Sequence, residues 1–145
     1  MFRILCTLLL AGCAAFGTMG AWAADDAALC RAVDDNALFV AEEAEGYLLI
    51  NILGLPGPPA PDARAAFEQG LGECAVAHVK AQLAEDSTLA TVEEIALDFV
   101  LMKSLDEYNQ VDFNKIKRIG TGTMRHGDGT VNLEKMNIDW SLIPQ

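Results

Sequence analysis

Ala27-Ala28-Leu29-Cys30-Arg31-Ala32-Val33-Asp34-Asp35-Asn36-Ala37-Leu38-Phe39-Val40-Ala41-Glu42-Glu43-Ala44-Glu45-Gly46-Tyr47-Leu48-Leu49-Ile50-Asn51-Ile52-Leu53 carries apolar residues at helical spacing. Leu29, Val33, Ala37, Val40, Ala44 and Leu48 form a stripe by steps of three and four, which predicts an amphipathic helix. Arg31, Asp35, Glu42 and Glu45 fall on the opposite face. Gly46 is expected to bend or divide the helix. Beyond it, Tyr47 to Leu53 is apolar nearly all round, so it should be buried on several sides or meet a partner.

The proline-rich stretch Leu55 to Pro61 stops this element, since proline cannot continue a helix. Asp62 is then placed to cap a second helix running to about Ala84. Gly70 and Gly72 weaken that helix or permit close packing. Thr91-Val92-Glu93-Glu94 matches a capping box and predicts a third helix to about Asn109. A short fourth helix is expected over Phe113–Ile119, stopped by Gly120. After Gly120 the grammar changes: the Gly- and Thr-rich run to Leu133 reads as two strands around an Asp128-Gly129 turn. The tail Ile138–Pro144 is apolar enough to dock on the body. The expected fold is therefore mainly α: a small irregular domain of three to four helices with a C-terminal β-hairpin and one disulfide.

The N-terminus reads as an export segment. Arg3 precedes an apolar run, no acid appears before Asp25, and Ala21-Trp22-Ala23 fits a small-x-small cleavage site. Residues 1–23 are expected to be a signal peptide and residues 24–145 a single helical domain. An alternative cut lies before Cys13, because Leu10-Ala11-Gly12-Cys13 matches a lipobox and would leave the protein lipid-anchored. The expected location is the bacterial periplasm, with contact to a membrane only if Cys13 is acylated.

Two cysteines remain after that segment, Cys30 and Cys74, and in an oxidising compartment they read as a disulfide. Such a bond contributes about 4–5 kcal/mol in the chain-entropy model. A straight pair of helices hinged at the prolines would hold the two cysteines about 16 Å out of register. Separations above about 7 Å cannot be bridged, so the helices must cross at an angle or the first must bend near Gly46.

Charge bounds the function. The chain has 10 Lys and Arg against 21 Asp and Glu, a formal net charge of −11, and losing Arg3 with the signal makes it −12. Residues 24–101 hold 15 acidic and 3 basic residues, whereas 102–145 hold 6 of each, so the whole excess sits in the first part. Such a field repels phosphate backbones and argues against nucleic-acid binding. It favours encounter with a basic protein. The acidic positions expected to bind are Asp34, Asp35, Glu42, Glu43 and Glu45, with Tyr47 beside them.

No catalytic constellation emerges. His126 and Asp128 are near neighbours, but Ser87, Ser104 and Ser141 sit in no nucleophile elbow. Cys74 and His78 have metal-ligand spacing, but an oxidised cysteine is no thiolate ligand, and no metal or other cofactor is expected. The Asp128-Gly129 region fails a calcium-loop match because Lys135 falls where an acid is needed. Lys115, Lys117 and Arg118 form a basic knot that suits an anionic lipid or partner, but reads first as a helix end or as an internal partner for the acidic face. The protein is therefore expected not to be an enzyme.

Leu97-Asp98-Phe99-Val100-Leu101-Met102-Lys103-Ser104-Leu105-Asp106-Glu107-Tyr108 resembles a late helix of the periplasmic amidase-immunity proteins of type VI secretion systems. Ser104 stands where that family's pattern has a cysteine. The resemblance implies a small exported protein that neutralises a cell-wall-degrading enzyme. The functional expectation is thus an exported, non-enzymatic protein-binding domain, such as an inhibitor or immunity protein acting on a basic wall-degrading enzyme. The alternative is a periplasmic chaperone or small-ligand carrier that uses an exposed Tyr47–Leu53 stretch.

Overall fold

The first expected helix ends after ten residues. In the computed structural model, which describes residues 26–56, 59–102 and 116–143, helix α1 spans Asp26–Asp35. Asn36 closes it: its Nδ2 donates to the Ala32 carbonyl at 2.8 Å, and its backbone N–H donates to Val33. The chain then runs as strand β1, Ala37–Glu42, turns at Glu43-Ala44, and returns as β2, Glu45–Asn51. Leu-Phe-Val and Tyr-Leu-Leu-Ile have the aromatic and branched content of strands, and cross-strand pairing overrides the helical spacing of the alanines.

The long helix α2, Arg64–Glu85, is the second expected helix, entered through a 3-10 turn at Pro61–Ala63. Asp62 lies in that turn and no side chain caps the helix. The third expected helix is strand β3, Glu94–Leu101, in its described part. Thr91 does not cap a helix there; its hydroxyl donates to the Glu43 carbonyl at 3.2 Å. Lys117–Ile119, placed in a fourth helix, opens strand β4, Lys117–Gly127, which pairs with β5, Thr130–Ile138. The mainly-α expectation of three to four helices is therefore wrong. The described residues form an α/β fold, with two α-helices and one five-stranded mixed sheet ordered β1-β2-β3-β4-β5. The expected signal segment and Cys13 lie outside the described residues, as do residues 103–115.

Only β2 and β3 are parallel, and parallel neighbours need a long crossover, which α2 supplies. Strand alternation then sorts the side chains. Leu48, Ile50, Ile95, Leu97, Phe99, Met124, Val131 and Ile138 join Leu29, Val33, Phe67, Leu71 and Val79 of the helices in one core. Gly72 lets α2 close on β5: a Cβ there would stand 2.8 Å from Leu133 Cδ2. The tail docks as expected, with Trp140 edge-on to Phe67 at 5.5 Å and its Nε1 donating to Glu68 at 2.6 Å.

Cys30 of α1 and Cys74 of α2 are bonded, with Cα atoms 4.8 Å apart. The register problem posed by two long helices disappears, because residues 37–51 are a hairpin and leave α1 free to lie beside α2.

Both hairpin turns use left-handed backbone. Asp128 (φ 52°) and Gly129 (φ 75°) suit it, but Glu43 adopts φ 56° against its side chain's preference. Glu43→Gly should raise the unfolding free energy by about 0.5–1 kcal/mol, after allowance for the extra freedom of glycine in the unfolded chain. A lower urea midpoint for this variant would contradict the turn geometry.

Candidate functional site

The sheet face away from the helices carries the polar chemistry. Register places Glu42 of β1 opposite Glu45 of β2, Glu45 beside Glu94 of β3, and Glu94 opposite Arg125 of β4. This is one row across four strands. Arg125 answers Glu94 at 3.1 Å and Glu134 at 2.6 Å. Those two carboxylates hold its guanidinium above the ordinary arginine range. Glu42 and Glu45 have no cation among the described residues, and like charges directly opposite on paired strands destabilise the pair.

Two further acids join this end of the sheet. Glu43 occupies the β1–β2 turn, and Glu93 is fixed beside it because its backbone N–H donates to the Ala44 carbonyl at 2.7 Å. Glu42, Glu43, Glu45, Glu93 and Glu94 are all exposed. The remaining expected acids lie elsewhere. Asp34 and Asp35 end α1, before β1 begins, so the hairpin strand separates them from Glu42 and Glu43. Asp34 Oδ1 accepts from His78 Nδ1 at 2.8 Å, His78 being 9% exposed. That contact gives His78 a bland role beside the disulfide. Among the described residues no three His, Cys, Asp or Glu side chains are grouped to hold a metal ion.

Tyr47 belongs to a separate network. Its hydroxyl donates to Asp98 Oδ2 at 2.7 Å, and Arg118 Nε donates to the same oxygen at 2.8 Å. A bulge makes this possible. Phe99 pairs with Gly120 but Val100 pairs with Arg118, so Ile119 is an extra residue. Ile119 is thereby buried, and Arg118 is re-aimed onto the face away from the helices. Beside the network, Leu49, Val100 and Met102 form a second buried cluster with Tyr47 and Ile116 packed on it.

Burial, then the hydrogen bond and charge of Asp98, push the Tyr47 phenol from its ordinary 10 up to about 12, despite Arg118. Native structure thus favours the protonated phenol. Its contribution to stability is whole below pH 10 and is lost as pH rises through about 12. The chain has two tyrosines, so in a Tyr108→Phe background Tyr47 alone reports. Its ultraviolet tyrosinate absorbance should rise only near pH 12. Titration at the ordinary phenol value would show that the Asp98 contact does not persist in solution.

Sequence reasoning found Glu42, Glu43, Glu45 and Tyr47 but not the Glu93–Glu94 junction or the Asp98–Arg118 pair, which exist only through strand register. The basic knot is partly internal. Arg118 serves Asp98, Lys117 Nζ donates to the Leu142 carbonyl at 2.9 Å, and Lys115 lies outside the described residues. His126 gives no general base at Nδ1, which lies 2.6 Å from the Val92 carbonyl oxygen and so must be the donor. Leu48, Leu49 and Ile50 are at most 1% exposed, so the stretch considered for a chaperone or carrier surface is mostly core. Comparison with protein-family models, with curated proteins and with solved structures found no match.

Proposed function

We propose that this protein is an exported, non-catalytic binding protein that captures a basic protein through the acidic end of its sheet. The observation that carries the reading is the row of Glu42 and Glu45, in register and with no cation paired to them among the described residues, joined by Glu43 and Glu93. Carboxylates gathered on one hairpin repel one another, and a cationic partner relieves that repulsion on binding. The narrower reading is inhibition of a basic wall-degrading enzyme; its support is this charge, since residues 97–101 of the stretch that resembles a family helix form strand β3.

The test is capture from the envelope of the source cell. The chain and its Glu42→Lys/Glu43→Lys/Glu45→Lys variant are each used as bait at low and high salt. The expected result is a basic protein held by the natural chain and released by salt or by charge reversal. If that protein degrades peptidoglycan and loses activity when bound, the inhibitor reading stands. Equal capture by the reversed variant would end the proposal.

A further inference from the structure

Strand β1 is an edge of the sheet, and no described residue pairs with its free side. The Asn51 N–H donates to the Asn36 carbonyl at 2.8 Å, which fixes the phase of the β1–β2 ladder. In an antiparallel pair bonded residues alternate. Leu38, Val40 and Glu42 therefore bond to β2, while the N–H and C=O of Ala37, Phe39 and Ala41 point away from the sheet. No hydrogen bond to those groups is present among the described residues. The strand's centre, Ala37–Ala41, has no charge, no proline and no bulge, and Val40 is 44% exposed.

The opposite edge differs. Strand β5 carries Glu134 and Lys135, and a register shift makes Glu134 an extra residue there. Charges and bulges are the usual protection of an edge. Among the described residues, one edge of this sheet has that protection and the other has none.

Charge selects the occupant. Antiparallel pairing of β1 with a second copy, centred on Phe39, would set Glu43 against Asp35 and would gather acids at both ends. Self-association is thus opposed at the strand that most invites it. A segment with Lys or Arg at each end and an alternating apolar centre meets the opposite field: Asp35 at one end, Glu42 and Glu43 at the other. We infer that β1 accepts an extended, basic-ended segment of the partner as an additional strand. This rests on the basic-partner reading above and specifies its mode. Main-chain bonds to Ala37, Phe39 and Ala41 would supply affinity, and the flanking acids would supply selectivity.

The test uses the full chain and dye-labelled synthetic peptides. KKVTVTVKK should bind saturably and release with salt, whereas EEVTVTVEE and the proline-interrupted KKVTPTVKK should not bind. Ala41→Pro removes an outward N–H while leaving the bonds to β2 intact, and should weaken KKVTVTVKK on the order of tenfold. Should that variant fail to fold, nuclear Overhauser contacts from the peptide to the Phe39 amide of the natural chain decide the same question. Equal binding of KKVTPTVKK, or wild-type binding by folded Ala41→Pro, would overturn strand addition while leaving a basic partner in place. Failure of both lysine-ended peptides would also overturn strand addition. Envelope capture then judges the basic-partner reading separately. A dimer in sedimentation that Ala41→Pro abolishes would show the occupant to be a second copy, against the inference.

Discussion

Glu42→Lys/Glu43→Lys/Glu45→Lys should slow association with the captured partner on the order of tenfold to a hundredfold at low salt. The effect should fall mainly on the association rate. The three side chains are exposed and bonded to no cation among the described residues, so their charge acts on encounter more than on a desolvated contact. Added salt should narrow the gap between variant and natural chain, because exposed charges are screened within about 10 Å at 0.1 M ionic strength. The same substitutions at Asp34 should do less to the rate, since that carboxylate already faces His78. Stopped-flow association at two salt concentrations checks this. A rate that ignores both salt and charge reversal would remove steering from the account.

Replacing Cys30 and Cys74 by alanine should lower the unfolding free energy by about 4 kcal/mol, the chain-entropy value for a bond spanning 44 residues. The loss should be mostly of this origin. Cys74 is 3% exposed, so removing its sulfur adds only a small cavity term to this loss. What the bond fixes is α1 on α2, with the β1–β2 hairpin and its acids closed within the loop. The variant should therefore unfold at lower urea and also bind its partner less well at temperatures where the native chain is intact. Urea titration of the oxidised and cysteine-free chains measures the difference. A change below about 1 kcal/mol would mean that the sheet holds α1 without the bond, outside the range expected for a native disulfide.

What the residues disclose by themselves follows from how local each constraint is. The Asp128-Gly129 turn, the disulfide pair, the span of α2 and the docking of Trp140 rest on turn chemistry, compartment and one helical face, and these are readable along the chain. The first hairpin is not readable in that way. Its turn is Glu43-Ala44, with Glu43 in a conformation that normally announces itself by Gly or Asn. The alanines at 37, 41 and 44 fit a helix and a strand equally. Strand β3 hides for a different reason. Leu97 to Val100 are buried on both faces, between the helical core and the Leu49–Val100–Met102 cluster, so no alternation survives. The better clue was composition: a cluster of acids between Leu-Phe-Val and Tyr-Leu-Leu-Ile marks a turn between two strand-forming runs. The acids of the site were legible as charge, whereas the row formed by Glu42, Glu45, Glu94 and Arg125 depends on register between segments far apart in sequence.

The most direct test of an acidic sheet edge as the binding surface is amide hydrogen exchange of the full chain with and without its captured partner. Slowed exchange at Ala37, Phe39 and Ala41, with β5 unchanged, is the predicted footprint. Protection confined to β5 or to α2, with β1 exchanging as in the free protein, would contradict it.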